Sequence, residues 1–406
     1  MNAKIFTALS FALLVAGFLP GQSTYQLTIA AGSQDRAAAP VYFALPAAMQ
    51  ARDVFRLTET ETGRQHYAQR WKADSAVFIL DRTLAAGRSR TYELRGVENR
   101  PVPTVAVTQD AETVRISVGD QSVLVYHTAT VQPPAGSPDY YRRSGHIHPL
   151  YSPEGQVLSD GFPVGHTHQH GVFLTWVNTT FRGDFTDFWN QQSETGTVRH
   201  IAVLDTVSGP VFARLQVRLE HVSLQHGPVL EETRTITVYR RRAPFLVDID
   251  SEQWTVTDDS LLINEYHYGG MAFRGSAQWN AVDSLAYRHE MQVLTGAGKA
   301  RSAANHTRPR WTAAYGPVDG NTAGVALFDH PANFRFPQPV RVHPEMPYFV
   351  YAPMVAGAFS IRPGDRYRSR YRFLVYQGTP AAKTMDAQWQ IFAEPPPVKV
   401  KKMEGK

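Results

Sequence analysis

Short runs of β-branched and aromatic residues, separated by turn residues, recur along nearly the whole chain. Examples are residues 25–30, 114–118, 233–239, 245–249 and 371–376. Few windows after residue 22 place apolar residues at the 3.6-residue period of a helix. The 29 glycines and 27 prolines are spread between the runs and are not gathered into a linker. This pattern predicts an all-β protein whose main body is a large antiparallel β-sandwich.

The length of the chain predicts more than one folding unit. A single hydrophobic core usually stops growing at about 250–300 residues, and this chain has 406. We expect a small N-terminal β domain over residues 23–103 and a β-sandwich domain over residues 104–380. Residues 381–406 contain three consecutive prolines and several lysines, and we expect them to form a solvated C-terminal tail.

The first 22 residues are typical of a secretory signal peptide. Lys4 precedes an apolar run over residues 5–19, and Pro20 and Gly21 follow it. A retained membrane anchor is the alternative, although the run is short for a spanning helix. No later stretch approaches about 18 uninterrupted apolar residues. We therefore expect a periplasmic or secreted protein whose mature chain does not insert into a membrane.

Composition excludes several classes of function. The chain has no cysteine, which excludes disulfides, thiolate zinc sites and cysteine nucleophiles. Its formal net charge is only +5, and no long stripe of lysine and arginine is present to follow a phosphate backbone. Nucleic acid is therefore not an expected partner. Sequence patterns for a nucleophilic serine elbow or a phosphate loop are also missing.

Two predicted strands have informative faces. In residues 245–252, the two-residue period places Asp248, Asp250 and Glu252 on the side opposite the apolar residues. In residues 230–239, Glu232 and Arg234 instead share a side with apolar residues. A charged pair in that position is either a buried ion pair or part of a pocket.

Histidines provide the strongest functional signal. Five of the 15 histidines lie between residues 146 and 170, in two groups with alternate spacing. They are His146, His148, His166, His168 and His170. On an extended strand, residues i and i+2 lie about 6.8 Å apart on one face, so a His-x-His pair can reach one metal ion. The five predict a site for a transition metal (Zn, Cu or Fe), although hydrogen-bonding histidines in a metal-free polar pocket and purely structural histidines are alternatives.

Other polar and aromatic motifs surround the histidines in sequence. Asp187 and Trp189 follow the cluster, and His267 is followed by Tyr268. His267 shares a strand face with Glu265, which could orient it as a general acid or base. Aromatic planes beside carboxylates and arginines suit sugar rings, but they also suit an ordinary sandwich core.

Several of these motifs together resemble a known family. The runs concerned are residues 148–155, 160–163, 166–171, 187–189, 267–270, 273–275 and 329–333. They resemble the secreted bacterial proteins labelled "methane oxygenase PmoA", over roughly residues 105–380. Many relatives have an acidic residue where Gly165 stands here, so no role for that acid is carried over. The β-rich pattern is also similar to the large sandwiches of galactose-mutarotase-like and polysaccharide-lyase proteins.

The resemblance implies a carbohydrate context, because relatives often occur with sugar oxidoreductases and other carbohydrate-utilisation proteins. We therefore expect a carbohydrate-active enzyme of lyase, epimerase or hydrolase type, acting on a small sugar or oligosaccharide. A histidine-ligated metal oxygenase or hydrolase, as the family label implies, and a non-catalytic glycan-binding protein are the alternatives. The candidate catalytic residues are His148, His168, His267, Asp187 and Glu232, and the candidate substrate-binding residues are Arg234, Arg274, Trp189, Tyr268 and Asn333.

Overall fold

The computed structural model describes residues 24–97 and 101–403, so the predicted signal peptide lies outside the described residues. The first strands are β1 (Tyr25–Ala30), β2 (Pro40–Ala44), β3 (Val54–Glu59), β4 (Gln65–Lys72), β5 (Ser75–Ile79) and β6 (Ser89–Gly96). Next come β7 (Val105–Gln109), β8 (Thr113–Val118), β9 (Gln121–His127), β10 (Ile147–Leu150), β11 (Val172–Thr175), β12 (Thr179–Phe181) and β13 (Asp184–Thr186).

Four long strands follow, namely β14 (Gly196–Val207), β15 (Phe212–Ser223), β16 (Gly227–Tyr239) and β17 (Phe245–Thr255). The remaining strands are β18 (Leu261–Ile263), β19 (Gly270–Arg274), β20 (Gln292–Thr295), β21 (Trp311–Val318), β22 (Asn321–Asp329), β23 (Val340–Val342), β24 (Tyr348–Tyr351), β25 (Phe359–Ile361), β26 (Tyr367–Gln377) and β27 (Val398–Lys402). The α-helices are α1 (Arg301–Ala304) and α2 (Ala382–Ala393), and short 3-10 helices occupy Ala47–Met49, Asp139–Tyr141, Gln191–Ser193, Ala277–Trp279 and Pro353–Ala356.

These strands form four antiparallel sheets. The N-terminal sheet has the order β2-β5-β4-β3-β6-β1-β27. Two eight-stranded sheets form the main body: the front sheet, β23-β24-β19-β11-β10-β9-β8-β7, and the back sheet, β14-β15-β16-β17-β26-β22-β21-β20. A small sheet, β13-β12-β18-β25, lies beside them. The predicted all-β antiparallel fold is confirmed. None of the helices in the described part of the chain is long and apolar enough to cross a membrane.

The front and back sheets pack on one shared core, as a β-sandwich requires. Val172 and Phe273 from the front sheet join Ile236, Ile249 and Phe373 from the back sheet in a single cluster of buried side chains. All five are at most 3% exposed. Burial of this apolar surface supplies most of the favourable free energy of folding. The predicted large β-sandwich is therefore present.

The C-terminal segment is ordered and packed, which differs from the predicted solvated tail. In α2, Met385, Trp389 and Phe392 form a helical stripe that packs on the outer side of the back sheet and on the N-terminal sheet. β27 then pairs with β1, and its Val398 and Val400 pack against the core of the N-terminal sheet. The alternation of valine and lysine in β27 is a strand pattern that the nearby prolines and lysines obscured.

The acidic face predicted for β17 is paired with arginines. Asp248, Asp250 and Glu252 each face an arginine of β26 in the ladder. The paired arginines are Arg372, Arg370 and Arg368, with contacts of 2.6–2.8 Å. These cross-strand ion pairs line the outer side of the back sheet, where most of them are partly exposed to solvent.

Glu232 and Arg234 form a buried ion pair inside the sandwich. Glu232 is 0% exposed and Arg234 is 3% exposed. The Arg234 Nε and Nη2 atoms donate to the two carboxylate oxygens at 2.7 and 3.0 Å. His221, Ser251 and Gln253 complete the carboxylate's partners. Burial raises the pKa of Glu232, but the charge of Arg234 and the interactions with His221, together with the hydrogen bond from Arg234, outweigh burial and hold this pKa at about 2.

We expect Glu232→Ala to lower the free energy of unfolding by about 3–5 kcal/mol, because the Arg234 guanidinium would remain buried without its carboxylate. Equilibrium urea unfolding measures this loss. The matched control is Glu252→Ala, which removes a partly exposed pair on the same sheet and should cost about 1 kcal/mol or less. Equal losses in the two variants would contradict the structural role of Glu232.

Candidate functional site

Strand register determines which side chains share the outer side of the front sheet. Ile147 pairs with Val172, Val172 with Phe273, and Phe273 with Phe349. These four residues are buried in the sandwich core. Because side chains alternate between the two faces of a strand, the residue next to each of them faces outward.

These four outward neighbours, together with His343, form a row across the front sheet, which we call the polar row. It consists of His148, Gly171, Arg274, Tyr348 and His343. Arg274 pairs with Tyr348, and its N–H donates to the Gly171 carbonyl at 2.7 Å. The N–H of His343 donates to the Tyr348 carbonyl at 3.2 Å. His148 and Arg274 are two strands apart, so their backbones are separated by roughly 10 Å.

A cavity of about 760 Å³ opens beside His148. Its polar lining residues are His148, Ser159, Asp160, Ser276, Gln278, Arg288, His289 and Asp319. The size is within the range of small-molecule sites, and the lining offers both hydrogen-bond donors and acceptors. This cavity is the candidate active site.

The His148 imidazole is held by Ser159. Its Nδ1 lies 2.9 Å from the Ser159 Oγ, which also accepts a hydrogen bond from the Leu150 N–H at 2.9 Å. The serine hydroxyl can donate to Nδ1 or accept from it, so both neutral tautomers of His148 are supported. Nε2 has no hydrogen-bond partner within the described residues. Burial lowers the pKa of His148 to about 4, so the ring is neutral at neutral pH.

Gly161 and Asp160 shape the wall beside this imidazole. A Cβ at position 161 would lie 2.8 Å from the His148 Cδ2 atom, so any residue larger than glycine would displace the ring. The Asp160 backbone bonds to both Gly171 and Arg274, which places this residue next to the polar row. Burial raises the pKa of the Asp160 carboxyl, and the positive charge of Arg274 opposes that rise.

His166 and His168 lie near His343, at the end of the polar row away from His148. The His166 ring lies 5.6 Å from the His168 ring and 6.4 Å from the His343 ring, measured between centroids. Burial lowers the pKa of all three imidazoles, and the charge of Arg274 lowers each further. This part of the site is therefore rich in groups that become positively charged when an anion stabilises them.

His146 and His170 lie deeper and contact protein groups. His146 stacks on His127 with a centroid distance of 4.7 Å and lies 5.3 Å from His170. The two nitrogens of His170 are 3.0 Å from the Gly161 carbonyl and 2.8 Å from the Gln191 Oε1. His170 therefore has no nitrogen free to bind a metal in this arrangement.

The histidines do not gather in the way that the predicted metal site requires. Among residues 24–97 and 101–403, no group of three or more histidine, aspartate or glutamate side chains could hold a metal ion. His170 uses both ring nitrogens on protein groups, and Nδ1 of His148 is bonded to Ser159. Metal binding stays a prediction from the sequence, and no step of the chemistry below depends on it.

Asp187, Trp189 and Tyr268 form a wall near the histidines. The Asp187 carboxylate accepts bonds from the backbone N–H groups of Trp189 and Asn190 and from the Asn190 side chain, all at 2.7–2.8 Å. The Tyr268 hydroxyl donates to the Asn190 Oδ1 at 2.9 Å, and its ring lies 5.2 Å from the Trp189 ring. Asp187 is 3% exposed and already bonded, so the structure favours a positioning role over the predicted catalytic one.

Four other predicted site residues lie away from the cavity. His267 is exposed, and its ring contacts the Tyr266 and Tyr268 rings at centroid distances of 4.3 and 4.7 Å. Asn333 bonds to the Asp329 side chain and to the Arg370 backbone on the back-sheet side. Glu232 and Arg234 lie in the sandwich interior, as described above.

The structure also adds residues that sequence reasoning had not selected. Ser159, which orients His148, and His343 and Tyr348, which extend the polar row, were not among the predicted site residues. Ser159 lies one residue before a motif already noted at 160–163, and this proximity was an available signal. His343 and Tyr348 had none, because only strand pairing places them beside Arg274.

Comparison with known proteins identifies a family. The family model described as "Family of unknown function (DUF6807)" matches residues 113–390. No curated protein matches the chain.

Some solved structures are similar at low identity. The heparan sulfate lyase HepC from Pedobacter heparinus has 11% identity and a TM-score of 0.36, covering 71% of this chain and 38% of the lyase. An alpha-mannosidase from Enterococcus faecalis has 10% identity and a TM-score of 0.38, covering 95% and 46%. A galactose mutarotase related enzyme from Lactobacillus acidophilus has 7% identity and a TM-score of 0.31, covering 67% and 97%. The chain spans less than half of the lyase and of the mannosidase. At these TM-scores the likenesses identify neither a substrate nor a reaction.

Acidification should destabilise the protein through its buried histidines. Burial lowers the pKa of His168 to about 3, so between pH 6.5 and 3 the unfolded chain binds a proton that the folded chain does not. The free energy of unfolding therefore falls as pH drops. We expect His168→Gln to recover on the order of 1 kcal/mol of that loss at pH 5, measured by urea unfolding at pH 7.5 and pH 5. A pH dependence in His168→Gln identical to that of the unaltered protein would contradict the assignment.

Proposed function

The chain belongs to this family of unknown function, DUF6807, and we propose that it is a carbohydrate-active enzyme that works by acid–base chemistry at His148. The observation that supports this proposal most is the state of the His148 side chain. Its ring is neutral, oriented through Nδ1 by Ser159, and has Nε2 without a protein partner beside a polar cavity. A positioned neutral imidazole is the usual general base or acid in enzymes.

The cavity suits a sugar better than an apolar ligand. Gln278, Arg288, His289 and Asp319 on its walls can donate to or accept from ring hydroxyls. Asp160 adds a carboxyl whose pKa burial raises, so that this group holds a proton more readily than an exposed aspartate does. The site therefore pairs a neutral histidine with a nearby carboxyl.

The chemistry follows from these two groups. His148 Nε2 would take a proton from a sugar carbon next to a carbonyl group, and the electron pair of the broken C–H bond would move onto the carbonyl oxygen. Return of a proton to the other face of that carbon gives epimerisation, and departure of the neighbouring oxygen substituent gives elimination. Asp160 can supply a proton in either case, and the serine hydroxyl allows His148 to change tautomer between steps.

Two other proposals follow from the sequence. A histidine-ligated oxygenase or hydrolase, as the resemblance implies, requires at least three ligands to converge, and elemental analysis of the purified protein would detect its metal at one ion per chain. Location outside the cytoplasmic membrane follows from the predicted signal peptide, and cell fractionation would test it.

We expect His148→Gln to reduce turnover about 10²- to 10⁴-fold with little change in thermal stability, because glutamine retains polar contacts but cannot transfer a proton. The assay screens sugars and oligosaccharides, including uronic acids, for an unsaturated product by ultraviolet absorbance and for epimerised product by NMR. His226→Gln is the matched control, since His226 lies on the small-sheet side, bonded to Asp184. Full activity in His148→Gln would refute the assignment of His148.

A further inference from the structure

Arg274 is buried with most of its hydrogen-bonding capacity unused. The residue is 0% exposed. Its Nη1 donates to the Gln169 Oε1 at 2.9 Å, whereas Nε and Nη2 have no partner in the described part of the chain. Burial lowers the pKa of Arg274 to about 10, and the charge of Asp160 opposes that change. Burial of a guanidinium in this state costs folding free energy, because the group has lost its hydrating water without gaining an ion pair.

The groups around Arg274 do not neutralise it. Across the ladder it faces Tyr348, and three imidazoles, His166, His168 and His343, lie within electrostatic range. Arg274 forms no ion pair with any carboxylate among the described residues, and Asp160 acts on it only through its field. His166 Nδ1 is likewise buried without a partner. These donors around one enclosed site favour an anion as its occupant.

The unused edge of the guanidinium indicates which anion. Nε and Nη2 point in parallel and form a fork that matches the two oxygens of a planar carboxylate. In the polar row the backbones of Arg274 and His148 are roughly 10 Å apart, a separation that one sugar ring with its substituents can bridge. Resting on the proposed function, we propose that Arg274 binds the carboxylate of an acidic sugar while His148 acts on the same ring.

Because Arg274 is 0% exposed, a ligand reaches it only if a neighbouring segment moves. Residues 163–168 are the candidate, because the His166 ring of this segment lies 6.4 Å from the His343 ring of the row, and Val164 and Gly165 are exposed to solvent. A Cβ at Gly165 would lie 2.9 Å from the Val282 side chain, so this segment closes against the loop that contains Val282. Displacement of residues 163–168 would connect the cavity beside His148 with Arg274.

The test compares acidic and neutral sugars on the purified full-length protein by isothermal titration calorimetry. The probes are D-galacturonate and D-glucuronate, their neutral counterparts D-galactose and D-glucose, and glucose 6-sulfate. We expect the uronates to bind more tightly than the neutral sugars. Arg274→Gln should weaken uronate binding about 10- to 100-fold and leave neutral-sugar binding unchanged. Arg274→Lys should weaken uronate binding less than Arg274→Gln does, since lysine keeps the charge and loses the fork.

Arg199→Gln is the matched control, because Arg199 is exposed, paired with Glu220, and is not among the residues that line this cavity. A loss of uronate binding in Arg199→Gln equal to that in Arg274→Gln would overturn the assignment of Arg274. Stronger binding of glucose 6-sulfate than of the uronates would overturn the choice of a carboxylate. Equal binding of neutral and acidic sugars would overturn this inference and leave the proposed function standing, whereas absence of binding by every sugar would overturn both.

Thermal unfolding without ligand separates a binding role from a structural one. Arg274 has one side-chain hydrogen bond and, within the described residues, no ion pair to offset the burial of its charge, so Arg274→Gln should leave the melting temperature unchanged or raise it. A fall as large as that of Glu232→Ala, in which a bonded carboxylate is removed from Arg234, would show that Arg274 is structural and would overturn the proposal.

Discussion

The Arg234 guanidinium is the buried polar contact that joins the two large sheets next to the segment that carries the candidate site. Arg234 belongs to the back sheet, yet its Nη1 and Nη2 atoms donate to the carbonyls of Gly145 and Leu174 at 2.9 and 3.4 Å. Gly145 immediately precedes the first His-x-His pair, and Leu174 lies in β11 of the front sheet. Glu232 makes this arrangement possible, because the carboxylate compensates the charge that the sandwich buries.

The polar row is a consequence of the pairing register between neighbouring strands of the front sheet. A slip of one residue in β10 or β19 would turn His148 or Arg274 into the core and bring an apolar side chain to the surface. Register is strongly specified here because Ile147, Val172 and Phe273 are all buried on the inner side. The same apolar contacts that stabilise the fold therefore decide which polar groups face the cavity.

Glycine residues create the space that the row needs. Gly161 lies against the His148 ring, and Gly171, with a φ of +62°, lies between the strands of His148 and Arg274. A Cβ at position 171 would lie 2.2 Å from the Ile147 carbonyl oxygen, so only glycine allows β11 to begin there. Two backbone positions without side chains thus leave room for the His148 ring and for the close approach of β11 to the strand that contains His148.

Local patterns in the sequence determined the strand content, the sandwich and the importance of the segment from 146 to 170, because alternation and residue chemistry are local properties of a chain. They could not decide how Glu232 and Arg234 are used, since a charged pair on an apolar face has the same pattern in a core and in a pocket. They also missed α2 and β27, because both elements are short and the three prolines lie between them. Only the tertiary structure placed His343, Tyr348 and Arg274 in one row with His148, because these residues are up to 200 positions apart (348 − 148) and are joined by strand pairing that no local pattern specifies.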